Sequence, residues 1–143
     1  MRQKPKNRNQ FKYFQKISTR WSDNDVYGHV NNVIYYFWFD TAVNQFLIKN
    51  NTLDIKSGEI IGLVVETHCS YFSPISFPEE ITVGLSVNNI GNSSVKYEAG
   101  IFKESDEIAS AQGYFIHVYV NRNKYNPVRI PEKAYNLIKS IEN

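Results

Sequence analysis

The sequence predicts an α+β fold: a five-stranded antiparallel sheet curled around one long buried helix, with a short C-terminal helix. Three observations predict it. Residues 33–49 form a helical stretch that is apolar around most of its circumference, and such a helix belongs inside a molecule. Four later stretches alternate apolar and polar residues with period two, as strands do. The turns between the last three are short, as antiparallel neighbours require. A flat layer cannot cover a helix that is apolar on so many sides, so the sheet must curl around it.

The elements follow in order. Residues 11–20 read as a strand, with Phe11, Tyr13 and Phe14 near its start. A polar loop through Gly28 leads into the helix. Asn50 and Asn51 supply a left-handed stop, and Lys49 suits the negative end of the helix dipole. Residues 60–72, 81–89, 94–102 and 108–120 read as strands. In the second of these Ile81, Val83, Leu85 and Val87 share one face. Pro74, Pro78, residues 88–92 and residues 104–107 make the turns. Pro131 suits the first turn of a last helix over residues 132–141. The last three strands are expected to form a meander. They are also expected to leave an edge of hydrogen-bonding groups of the kind that a second copy commonly covers.

Composition narrows the function classes. With 42% hydrophobic and 15% aromatic residues, the chain can bury a sizeable core. One cysteine excludes an intrachain disulfide framework, and the scattered histidines give no zinc spacing. Cys69 reads as a small buried hydrophobe. The longest apolar run, residues 33–39, is far short of the ~20 residues that span a bilayer. The N-terminus has no apolar signal region, so the expected compartment is cytoplasmic, with no membrane partner. Residues 1–20 hold seven of the 16 basic residues and no acid, leaving nine basic against 14 acidic residues in the remainder. An acidic body with a short basic arm is not a general nucleic-acid binder. Residues 1–10 are read as a flexible basic tail and residues 11–143 as a single domain.

The chemistry is concentrated in Ser22-Asp23-Asn24-Asp25-Val26-Tyr27-Gly28-His29-Val30-Asn31-Asn32, immediately before the aromatic helix. A carboxylate in the loop entering a helix lies beside that helix's free N–H groups, where negative charge is favoured. An acid that can attack a carbonyl or activate water, next to donors that can hold an oxyanion, suits transfer of an activated acyl group.

Arg20-Trp21-Ser22-Asp23-Asn24-Asp25, Gly28-His29-Val30-Asn31-Asn32 and Tyr35-Tyr36 resemble a hot-dog fold thioesterase of the 4-hydroxybenzoyl-CoA thioesterase family. The resemblance runs from about Phe11 to Ala134 and implies a hot-dog domain over residues 11–143. It implies hydrolysis of acyl-CoA, or sometimes acyl-carrier-protein, thioesters without metal or bound cofactor. It also implies a homodimer or homotetramer with active sites at a dimer interface. Carried over by position, the catalytic carboxylate is Asp25, and the backbone N–H that polarises the thioester carbonyl falls near Asn32. The family's CoA nucleotide commonly meets basic residues at the fourth-strand turn. Here residues 88–94 contain no Lys or Arg.

Each residue also has a plainer reading. Asp25 could make an Asx-turn or cap the helix, but within this pattern it is read as nucleophile or general base. Asp23 is read as holding the loop. His29 is either a loop-orienting hydrogen bonder or a proton donor and partner to Asp25. With Asp25, His29 and Asn32 as the catalytic set, Gly28, Asn31, Tyr35 and Tyr36 are assigned to substrate binding. Gly28 allows an unusual backbone geometry or a close substrate approach, and Asn31 or Asn32 caps the helix. Residues 35–39 are otherwise core. Asp40 is read chiefly as a structural hydrogen bonder and Glu66 as facing solvent. Arg122, Lys124, Arg129 and Lys133 could attract a phosphate-rich CoA tail or an acidic carrier protein. The competing readings are a non-catalytic module that binds acyl thioesters, a thioesterase for acyl-carrier protein, and a dehydratase. The dehydratase lacks a His and acid pair on the helix.

Overall fold

Helix α1 (Asn32–Lys49) lies across a sheet of five antiparallel strands: β1 (Tyr13–Ser18), β2 (Ile60–Tyr71), β3 (Glu80–Ile90), β4 (Ser94–Lys103) and β5 (Ala111–Asn121). Helix α2 (Glu132–Lys139) follows the last strand. This is a computed structural model, and it describes residues 3–143. The elements follow the expected order, but β1 is shorter than the strand read over residues 11–20 and β5 begins at Ala111, not at residue 108; Asn51 adopts the left-handed φ of 56° expected at the end of α1.

The strand order is β1-β3-β4-β5-β2, so β3, β4 and β5 form the expected meander. The expected edge is not where the sequence suggested. The last strands are central, because β2 crosses over to pair with β5, and the free edges belong to β1 and β2. Sequence period locates a strand, but its neighbours depend on which long-range pairing buries more apolar surface.

The buried stripe of α1 is Tyr35, Trp38, Phe39, Ala42, Val43, Phe46 and Leu47, a spacing of three and four that keeps one side on the sheet. Phe39 and Val43 are completely buried, against Leu85, Tyr97 and Ile101 in one core. Not all of residues 35–39 are core, however. Phe37 is 62% exposed, since it lies about 200° around the helix from Tyr35. Val33, one turn earlier on the same side, is exposed as well.

Part of the other face of the sheet is covered by the chain's own N-terminal segment. Phe11 lies over Gly84 and Gly100, where a Cβ would come within 2.9 and 2.8 Å of it. That close approach explains glycine in the middle of two buried strands. Lys6 ion-pairs with Glu98, Gln112 bonds the backbone of Lys4 and Lys6, and Asn7 bridges to Ile108. Arg8 donates to the carbonyls of Glu104 and Asp106. Met1 and Arg2, the start of the basic segment, lie outside the described residues. With both faces covered, β3 is buried continuously from Ile81 to Val87.

Among the described residues no helix is long and apolar enough to cross a membrane. Nor is any group of three or more His, Cys, Asp or Glu among them placed to hold a metal ion.

Candidate active site

The loop before α1 is a small hairpin. Asn24 and Val30 pair antiparallel, the Asp25 N–H donates to the His29 carbonyl at 2.8 Å, and the Gly28 N–H returns to the Asp25 carbonyl at 3.1 Å. Gly28 closes the turn with φ at 81°, a value that glycine adopts without a steric penalty. Its carbonyl accepts from the Ser76 hydroxyl at 2.8 Å.

Asp23 anchors the base of the hairpin. It is 1% exposed, and its two carboxylate oxygens accept from the Arg20 backbone N–H at 2.8 Å and the Arg20 guanidinium at 2.8 to 3.0 Å. Its own carbonyl accepts from the Asn31 N–H at 2.8 Å. Asn24 reaches across to the Phe77 N–H at 3.0 Å, and the Val30 N–H reaches the Ile75 carbonyl at 2.7 Å. Both oxygens of the Asp23 carboxylate are thus engaged within the loop.

Asp25 is half-buried. Its Oδ1 accepts from the Tyr27 N–H at 2.8 Å, an Asx-turn that orients the carboxylate while spending only one of its oxygens. Asn31 caps α1: its Oδ1 accepts from the Val33 N–H at 3.1 Å, and its carbonyl accepts from the Ile34 N–H at 3.0 Å. The Asn32 N–H, between these two, has no acceptor among the described residues. It points along the positive end of a helix dipole.

Asp25, His29 and Asn32 line one cavity of about 370 Å³, together with Val30, Tyr35, Tyr71, Phe72, Ser73 and Pro74. Of the residues assigned to substrate binding, Tyr35 is in the wall, whereas Gly28, Asn31 and Tyr36 shape the turn and helix behind it. Tyr36 packs edge-on against Phe39. Tyr35 meets both Trp38 and Tyr71 edge-on at 4.9 Å, and burial pushes its hydroxyl up to about 12. Sequence reasoning did not single out residues 71–74, which reach the site from the end of β2. The turn signal at Pro74 was the one cue to their position.

The remaining candidates lie elsewhere. Asp40 is exposed, and its carboxylate accepts from the Asn44 side chain one turn on at 3.0 Å. His68 stacks on Tyr114 on the sheet's outer surface, beside Lys96. His117 is buried in the core. Cys69 is half-buried, and desolvation pushes its thiol up to about 11. In the basic C-terminal cluster, Arg122 is tied to the carbonyls of Ile55 and Lys56, and Lys133 to that of Asn51.

Residues 19–138 match the thioesterase-like superfamily. The PA5185 protein of Pseudomonas aeruginosa strain PAO1 is 50% identical, with a TM-score of 0.95 over 97% of both chains. Slr0204, a 1,4-dihydroxy-2-naphthoyl-CoA thioesterase from Synechocystis, has a TM-score of 0.82 at 15% identity, over 90% of this chain and 96% of its own, and so shares the fold. YsmA of Bacillus subtilis (strain 168) is 27% identical over 85 residues, 59% of this chain and 57% of YsmA.

Proposed function

This chain belongs to the thioesterase-like superfamily and has the hot-dog fold, and from that premise we propose that it is an acyl-CoA thioesterase with Asp25 as its essential carboxylate. One observation carries the reading. The half-engaged Asp25 carboxylate, His29 and Asn32, whose N–H has no acceptor among the described residues, border the same cavity, while the Asp23, Asn24 and Asn31 side chains are engaged in holding the loop. A non-catalytic binder has no need of an acid oriented with one oxygen left over.

In this reading the thioester carbonyl oxygen points at the Asn32 N–H, which is already fixed when negative charge develops there. Asp25 either removes a proton from a water that attacks the carbonyl, or attacks it directly to form a mixed anhydride that water then opens. Either way the C–S bond breaks, the acyl group leaves as the free acid, and CoA leaves as the thiol. His29, exposed at the rim, is placed to supply the thiolate's proton. Slr0204 is named for a CoA thioester, which supports CoA as the thiol carrier.

The apolar groups left in the open favour a homodimer. Val33 and Phe37 on α1 and Val64 and Val65 on β2, an edge strand twelve residues long, are all exposed.

The test is thiol release from short, medium, long and aromatic acyl-CoAs, with Asp25→Asn run alongside. The variant should fold normally and lose at least about 100-fold in kcat. Turnover near that of the wild type in Asp25→Asn would sink the reading.

A further inference from the structure

The first turn of α1 is tied by bonds from three sources. The Asn31 N–H is taken by the Asp23 carbonyl at 2.8 Å, and the Val33 N–H by the Asn31 side chain at 3.1 Å. The Asn32 carbonyl receives a side-chain donor as well: the Tyr71 hydroxyl, at 2.9 Å. Tyr71 is the last residue of β2, thirty-nine positions further along the chain. Its ring stands edge-on to Tyr35 and forms part of the cavity wall.

A carbonyl in the first turn of a helix already serves the helix, so stability alone does not call for this extra bond. It fixes the rotation of the residue whose N–H is left unpaired. The Asn31–Asn32 peptide, which carries that N–H, is held through its carbonyl by the Ile34 N–H, and the next, Asn32–Val33, by the Asn31 cap and by Tyr71, so both peptides flanking Asn32 are tied. We infer that Tyr71 is a positioning residue, whose hydroxyl holds Asn32 so that its N–H stays aimed into the cavity. The inference rests on the thioesterase reading above and adds to it the means by which the oxyanion donor is kept rigid. Preorganised donors stabilise developing charge because nothing has to turn when the charge appears, and small misplacements at such a site are costly.

Tyr71 suits this work over the whole working pH range. Burial, with Cys69 and Tyr36 beside it, drives its hydroxyl well above the usual phenol range, so it remains a donor.

Tyr71→Phe removes the hydroxyl and keeps the ring against Tyr35. Kinetics on the best acyl-CoA of the panel should give kcat lower by about tenfold, with KM within about twofold of wild type and the pH profile unchanged in shape. Thermal unfolding should be close to that of the wild type. Unchanged kcat overturns the inference, and so does a fall in kcat accompanied by a matching rise in KM and a lower Tm, which would mark a merely structural tyrosine. Asp25→Asn separates the two claims. If it is inactive while Tyr71→Phe is normal, only the positioning role fails. If Asp25→Asn itself turns over normally, the thioesterase mechanism fails first.

Discussion

The loop over residues 20–31 and the interior between α1 and the sheet are held together by different forces. The interior is apolar and closed, with Phe39, Val43, Val83, Leu85, Tyr97 and Ile101 all essentially without solvent contact. The loop contributes only Asp23 and Val30 as buried residues, and takes its shape from hydrogen bonds to Arg20, Ile75, Ser76 and Phe77. Packing resists change in volume, whereas a hydrogen-bonded loop resists change in direction. A site that must aim one carboxylate and one N–H needs the second property, and it borrows rigidity from the first by sitting on the end of α1.

If this division holds, damage to the interior should appear as lost stability and damage to the loop as lost turnover. Phe39→Ala is the largest test. It empties a fully buried site and should cost about 3–5 kcal/mol of unfolding free energy. Denaturant unfolding measures that cost, and kcat of the folded fraction should change little. A large fall in kcat with intact stability would show that the interior and the site are not separate in this way.

The interior also holds buried polar groups, and one of them, His117, makes the next test. His117 is 3% exposed, its Nδ1 has no partner among the described residues, and it packs against the rings of Tyr97 and Phe115. Burial pulls its imidazole down to about 4, below the ordinary value of about 6.5. The unfolded chain then binds the proton first as pH falls, so the folded state loses stability between pH 6.5 and 4 and gains it back on the way up. The full loss is about 3 kcal/mol. Comparing unfolding curves of wild type and His117→Leu from pH 7 to 4 checks this, with the variant expected to be flatter over that window. Parallel curves would mean that the imidazole is not paying for its burial.

The same two regions differ in how readable they are from sequence. The core stripe of α1 and the strands announce themselves by period, because burial imposes a repeat of 3.6 or 2 on the chain itself. The cavity is half-readable. Asp25, His29, Asn32 and Tyr35 come together because they are close in sequence and the helix start brings them to one side. Tyr71 and Ser73 could not be read in this way, since they reach the cavity only through the crossing of β2 to the far edge of the sheet. The exposure of Phe37 escaped for a related reason. An aromatic residue on a buried helix looks like core until the position of the single covering layer is known.

Gly28 gives the smallest effect and the sharpest division between loop shape and substrate contact. Its φ of 81° favours glycine, and a Cβ built there meets nothing within 4 Å. Gly28→Ala should therefore cost about 1 kcal/mol of stability from backbone strain alone. Gly28→Asn should cost less, because asparagine tolerates left-handed φ. If the glycine is needed only to turn the chain, kcat/KM follows the strain: lower in the alanine variant and largely restored in the asparagine variant. If substrate passes close over this residue, the larger asparagine should raise KM more than alanine does, reversing the order. Steady-state kinetics on the two variants thus decide whether Gly28 belongs to the wall of the site or, as its open surroundings indicate, to the hinge that sets the direction of Asp25.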